Sequence, residues 1–241
     1  MSQQILYSYL RKFLRMTAIA VREVRNRIQN LFLSDERETI GKILSEVPIF
    51  VINLSHREKR LNRTIKNLRK IGVTNFERFE AVEDPIGIRG CAKSHLAIWE
   101  TLHLARIDTA LICEDDFKFV GNLRRLREAL EESVTMPQVK FVAFAGLVKD
   151  DGARISRNLK VTHDLQAAAC YLVKRDVLNE LIESNKISIQ MLTESNGRIG
   201  SHDKVWKSLQ TGQKFAVPIH KACRQYYGYS DIKKEIVFYE S

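Results

Sequence analysis

The sequence predicts an α/β layered domain with a largely parallel sheet, preceded by a basic amphipathic helix. Three observations point there. From Pro48 onward, short apolar runs alternate with segments of helical period, the order of βα units. Before Pro48, a single apolar stripe recurs at three- and four-residue steps. The 241 residues are 44% hydrophobic and 28% charged with four prolines, a balance that builds one sizeable core rather than a disordered chain.

In residues 1–33 the stripe is Tyr7, Leu10, Leu14, Thr17, Val21, Val24, Ile28 and Leu31. Six Lys and Arg stand against Glu23 alone, giving +5. Arg11, Lys12, Arg15, Arg22, Arg25 and Arg27 interrupt every apolar run, so neither a secretory signal nor a membrane span is expected. Three partners suit such a helix: its own domain, an anionic membrane surface, or another copy in a coiled coil. The scarcity of acids to pair across a homodimer weighs against the last. The chain divides near residue 48, into a helical extension (1–47) and a main domain (48–241).

IFVINL (49–54) reads as the first strand, and the REKRLNRTIKNLRKIG stretch as a helix closed by Gly72. FERFEAV (76–82) reads as extended and CAKSHLAIWETLHLAR (91–106) as helical. TALICED is the next strand and NLRRLREALEES (122–133) the next helix. VKFVAFAG (139–146) and AAACYLV (167–173) read as buried strands, RDVLNELIES (175–184) as a helix, and a last helix is expected from Asp203.

The net charge of +10 fits an anionic partner. No stripe of interleaved aromatic and basic residues is present, so nucleic acid is not expected. Cys91, Cys113, Cys170 and Cys223 are widely spaced and form no CxxC pair. That spacing resembles neither a zinc site nor a disulfide framework, and a reducing cytosol is the simplest expectation.

Open α/β sheets gather ligands at the carboxyl ends of their strands. Two unusual stretches fall at such ends, NLSHREKR after the first strand and Glu114-Asp115-Asp116 after the third, so one cleft is expected. Strand alternation would set Glu114 and Asp116 on one side and Asp115 on the other. Two carboxylates on one side suit a hard divalent ion that keeps positions open for phosphate; the alternative is that the acids are solvated or pair with Lys and Arg. In GIRGCAKSHLAIWE (87–100) the glycines permit close backbone approach. Ser94 and His95 are expected in the first helical turn, where free N–H groups attract phosphate, unless Ser94 simply caps the helix and His95 packs. Asn53, Arg57 and Arg60 flank the first βα turn, where an Arg grips phosphate or stacks on a base, or lies on a solvated face. Asp203 in SHDKVW is a general base, a sugar-binding carboxylate or a helix cap. His202 and His220 are candidates for a third metal ligand, against the general tendency of lone histidines not to ligate.

Taken together, VINLSHREKR, FEAVE, GIRGCAKSHLAIWE, LICEDD, AACYLV, DKVW and YSDI resemble glycosyltransferase family 25, the lipooligosaccharide galactosyltransferase-like group related to collagen galactosyltransferases. Their order along the chain is similar too, and they cover roughly residues 48–232. The resemblance implies a GT-A-like, Rossmann-type sheet, a UDP-sugar donor (commonly UDP-galactose) and inversion at the anomeric carbon. It implies a divalent metal, Mn²⁺ or Mg²⁺, held by Glu114 and Asp116, and a donor site that includes Asn53, Arg57, Arg60, Ser94 and His95. The base is then Asp203, with Asp115 as the alternative. A saccharide or glycolipid acceptor at the inner face of the cytoplasmic membrane follows from the same resemblance. Two features depart from the family pattern: SHD stands where a proline or small apolar residue often precedes the Asp, and the stretch between FEAVE and GIRGC is short.

Overall fold

Alternation along the first strand, β1 (Ile49–Asn53), sorts the core into two layers. Ile49 and Val51 enter one apolar cluster, Phe50 and Ile52 the other, as side chains of period two must. The structure, a computed structural model, describes residues 3–31, 33–226, 228–230 and 235–237, with side chains described from residue 13 to residue 226 except 32 and 168. After β1 come α3 (Glu58–Lys70), β2 (Glu77–Glu80), α4 (Gly87–Leu104), β3 (Thr109–Glu114), β4 (Phe117–Phe119), α5 (Leu123–Thr135) and β5 (Phe141–Val148). Then follow β6 (Leu159–Val161), β7 (Leu165–Lys174), α6 (Leu178–Glu194), α7 (His202–Val205), β8 (Phe215–Pro218), β9 (Cys223–Gln225), β10 (Gly228–Ser230) and β11 (Glu235–Val237).

Seven strands form the main sheet in the order β2-β1-β3-β7-β5-β8-β6. β1 runs parallel to β2 and β3, and β5 to β8, while β7 is antiparallel to both β3 and β5. β6 is antiparallel to β8. Strands β2, β1, β3, β5 and β8 therefore share one direction, and the sheet is the mostly parallel, helix-flanked α/β sheet that was expected. The antiparallel insertion of β7 sets Tyr171 beside Ile112 and Cys170 beside Cys113. On one face lie Leu68, Leu126 and Leu130 of α3 and α5; on the other, Ile98, Trp99 and Leu102 of α4 pack with Leu181, Trp206 and Phe215.

Two helices precede β1, α1 (Gln3–Asn30) and α2 (Ser34–Ser45). Ile40 and Leu44 of α2 are buried in the same cluster as Val51 and Leu126. The division placed near residue 48 therefore does not mark a gap in packing. Gly72 closes α3 with φ +89, and a Cβ there would stand 2.1 Å from the carbonyl oxygen of Arg37, so only glycine lets α2 and this turn meet.

α1 docks by its polar face. Asn26 Nδ2 and Asn30 Nδ2 donate to the carbonyls of Val120 and Gly121 at 2.9 and 3.0 Å, and Asn30 Oδ1 accepts from Leu123 N. Glu23 pairs with Lys118 and Arg224. The apolar stripe turns outward: Leu14, Val21, Val24, Ile28 and Leu31 are 54–72% exposed. The side chains of Tyr7 and Leu10 lie outside the described residues. No helix among the described residues is long and apolar enough to cross a membrane.

Candidate active site

A cavity of about 780 Å³ opens at the carboxyl ends of β1 and β3, where the sheet topology leaves room between diverging loops. Asn53, Arg57, Arg60, Ser94, His95, Glu114, Asp115 and Asp116 all line it. The single cleft expected from the two strand ends is thus formed, and most of the residues singled out in the sequence meet there.

The acidic stretch does not behave as a strand. β3 stops at Glu114, Asp115 and Asp116 make a turn, and β4 begins at Phe117. Alternation is lost at that turn, so Asp115 faces the same cavity as its neighbours rather than the opposite side. Three backbone contacts pin the turn: Thr64 Oγ1 donates to the Asp115 carbonyl, Tyr226 N to the Asp116 carbonyl, and β4 pairs with β9. Asp115 is buried; its Oδ2 accepts from Asn53 Nδ2 at 2.7 Å and its Oδ1 lies 2.6 Å from Arg60 Nη2. The same guanidinium reaches Asp116 Oδ2 at 3.1 Å. Arg60, read from the sequence as gripping phosphate, stacking on a base or lying on a solvated face, pairs here with two carboxylates and offsets their repulsion.

Among the described residues, Asp116 Oδ1 is buried with no hydrogen-bond partner. Burial above all, then the neighbouring Glu114 charge, pushes the Asp116 carboxyl up to about 7. Burial likewise raises Glu114 to about 7, against the lowering effect of His202. Asp115 is raised as well, burial outweighing Arg60 and Asn53. A pair of carboxyls held this far above their ordinary range, one with an orphaned oxygen, is an environment that a cation would relieve.

The opposite wall is α4, which starts at Gly87, earlier than the sequence indicated. Ser94 and His95 therefore lie two turns inside the helix, and their backbone N–H groups are not the free donors expected of a first turn. Ser94 Oγ instead donates to the Gly90 carbonyl and accepts from Val82 N, fastening the 81–85 loop to the helix. Gly90 permits this approach, since a Cβ there would come within 2.8 Å of the Val82 carbonyl. Asp84, held well below the usual carboxylate range first by Arg89 and also by Lys93, anchors the same loop.

His95 is fully buried between two partners. Its Nδ1 lies 2.7 Å from Tyr171 Oη, which accepts from Trp99 Nε1, and its Nε2 lies 3.1 Å from Glu114 Oε1. Burial lowers the imidazole to about 4, so it is neutral at physiological pH.

Asp203 is not among the residues lining the cavity. It sits in α7, where its Oδ2 accepts from Ala167 N at 3.2 Å, and Ala167 has a left-handed φ of 48°. The expected last helix is short, four residues of α7 followed by a 3-10 turn over 206–209. His220 is exposed and outside the cavity. The YSDI stretch falls partly outside the described residues. Gln225 and Tyr226, the start of the polar QYYGYSDI stretch (225–232) that stands out in the sequence, also line the cavity, although neither was singled out by itself. Tyr226 stacks under Arg63 at 4.0 Å and accepts from Asn67 Nδ2. The stretch is marked by its polar groups, but its place in the cavity comes only through the long-range pairing of β9 with β4.

Residues 86–191 match the family pattern described as "Glycosyltransferase family 25 (LPS biosynthesis protein)". A "Putative glycosyltransferase" of Acanthamoeba polyphaga mimivirus is 29% identical over 119 residues, 39% of this chain; the match spans 37% of that relative's length. Among solved structures, a glycosyltransferase involved in glycosylation of the major capsid of PBCV-1 shares 11% identity at TM-score 0.45, covering 71% of this chain and 80% of that one. Mouse xyloside xylosyltransferase 1 shares 10% at TM-score 0.40, covering 83% and 93%. These structural likenesses are distant, and nothing about substrate follows from them. Residues 86–191, which hold α4, β3 and the acidic turn, are thus the part of the chain that is similar to glycosyltransferase family 25.

Proposed function

We propose that this protein is an inverting glycosyltransferase that moves a sugar, galactose as first choice, from a UDP-sugar to a saccharide acceptor in lipooligosaccharide, lipopolysaccharide or surface-glycan assembly. The observation that carries this reading is the acidic turn: Glu114 and Asp116 at the floor of a large cavity, with a buried, unpartnered Asp116 oxygen. These two carboxylates would hold a divalent ion, Mn²⁺ before Mg²⁺, as hard oxygen donors do. When bound, that ion supplies charge neutralisation for a nucleoside diphosphate leaving group.

The chain's own residues do the rest. Arg60 and Asn53 fix Asp115, and through it the turn, so that Asp116 is presented to the cavity at little reorganisation cost. This occupation of Asp115 favours a positioning role over that of base. Arg57 and Arg63 contribute positive charge to the wall facing a donor diphosphate. Asp203 lies behind the cavity lining, close enough for its charge to act on Glu114; in this reading it takes the acceptor hydroxyl proton as general base. The exposed apolar stripe and basic flanks of α1 suit an acceptor presented at an anionic membrane surface, with the enzyme peripheral on its cytoplasmic side.

Thermal unfolding tests the donor site. UDP with Mn²⁺ is expected to raise the melting temperature, and Asp116→Ala is expected to abolish the shift. Absence of any stabilisation by nucleoside diphosphates, with or without metal, would overturn the reading.

A further inference from the structure

We propose that Cys91, His95 and His202 form a second metal site, for a borderline-soft divalent ion of the zinc class, with Glu114 as its fourth donor. Cys91 and His95 stand four residues apart on α4 and so share one helix face. His202 comes from the start of α7, more than a hundred residues later, and its ring lies 4.9 Å from that of His95 at 31°. One donor atom from each of the three falls within 4.8 Å of the others, and no other such trio of His, Cys, Asp or Glu converges among the described residues.

Two further observations point to a ligand here. His202 is only 8% exposed, yet its Nδ1 has no hydrogen-bond partner among the described residues. A buried imidazole nitrogen without a partner carries a desolvation cost that a bound ion would remove. His95 already has the outer partner that ligating histidines use: Tyr171 Oη, 2.7 Å from Nδ1, can accept a hydrogen bond from Nδ1–H and leave the Nε2 lone pair facing the cluster. Trp99 Nε1 holds that phenol in place.

The donor chemistry separates this site from the acidic turn. One sulfur and two imidazoles select zinc-class ions, whereas Asp116 offers oxygen alone to a hard ion. Glu114 Oε1 stands outside that trio but lies 3.1 Å from His95 Nε2 and 4.0 Å from Cys91 Sγ, the nearest carboxylate to move in as fourth donor. A tetrahedral ion at ~2.0–2.3 Å from each donor brings them roughly 3.3–3.6 Å apart, a contraction within reach of side-chain torsions. Binding replaces the Cys91 thiol proton, which leaves to solvent as the metal–thiolate bond forms. Glu114 is shared with the proposed donor-metal site; Asp116 belongs to that site alone, so substitutions there separate failure of the two readings.

The test is titration of the full-length, chelator-stripped protein with Co²⁺ and then Zn²⁺. One equivalent of Co²⁺ is expected to give a near-ultraviolet thiolate-to-cobalt charge-transfer band that Zn²⁺ displaces. The band is expected to vanish in Cys91→Ser and to persist in Asp116→Asn. His202→Ala is expected to lower Zn²⁺ affinity by at least the roughly 10–100-fold that loss of an outer partner costs. No charge-transfer band in the wild-type protein would overturn the proposal without recourse to any variant. So would a band that survives in Cys91→Ser, or one lost in Asp116→Asn.

Discussion

Asn53 and Asp115, 62 residues apart, share a 2.7 Å hydrogen bond at the floor of the cavity, Asn53 Nδ2 donating to Asp115 Oδ2. Both are buried, and Asn53 Oδ1 accepts in turn from Arg78 Nε. The bond ties the end of β1 to the turn after β3. Asn53→Ala would leave a buried carboxylate short of one donor and Arg78 short of one acceptor. The expected loss is about 1–3 kcal/mol, read by urea denaturation. A change within the noise of that measurement would mean the contact contributes nothing in solution.

The titrating groups of the site predict a pH dependence with a definite sign. Glu114 and Asp116 bind protons more tightly in the folded chain, each raised to about 7, so they weaken the fold as pH rises through that value. His95 and His202, lowered to about 4, act oppositely and weaken it as pH falls below the ordinary imidazole range. Between roughly 4.5 and 6.5 the two sets offset each other; above about 6.5 the carboxylates act alone. The melting temperature of metal-free protein is therefore expected to fall from pH 6.5 to 8. Glu114→Gln with Asp116→Asn is expected to flatten that fall, and Mn²⁺ to reduce it. A melting temperature that rises over this interval would contradict the assignment.

Much of this architecture is legible in the residues. Short apolar runs locate β1, β3, β5 and β7, and the two strand ends locate the cavity. What escapes is set by contacts distant in sequence. The turn at Asp115 breaks the alternation because Thr64 and Tyr226 hold its carbonyls, and neither is visible from TALICEDD alone. The start of α4 at Gly87 escapes because glycines read as loop, while here Gly90 is needed for contact with Val82. His202 looks like a lone histidine until α7 brings it against His95. In α1, periodicity correctly marks an apolar stripe but not its direction, since Glu23, Asn26 and Asn30 claim the docking face.

That outward stripe makes a prediction about membranes. Leu14, Val21, Val24 and Ile28 are each more than half exposed, so replacing all four with Gln removes little packing. Wild-type protein is expected to co-sediment with phosphatidylglycerol vesicles, less so at high salt, and the fourfold variant to lose most of that binding. Point substitution is a cleaner probe than deleting residues 1–33, which would also remove the Glu23, Asn26 and Asn30 contacts. Equal sedimentation of both proteins, or a loss explained by self-association alone, would refute the membrane role.

Asp203 offers a sharper test of mechanism, because two substitutions divide its roles. Its Oδ2 accepts from the backbone of Ala167, a residue in the left-handed region. An asparagine can still accept that N–H through its carbonyl oxygen, but it cannot take a proton from an acceptor hydroxyl. Asp203→Asn is therefore expected to melt near the wild-type temperature while losing about 10²–10⁴-fold in transfer rate. Asp203→Ala removes the acceptor as well, and is expected to lose about 1 kcal/mol of stability in addition. Transfer that survives in Asp203→Asn but fails in Asp203→Ala would identify Asp203 as a positioning residue that holds the turn at Ala167, and would send the search for the base back into the cavity.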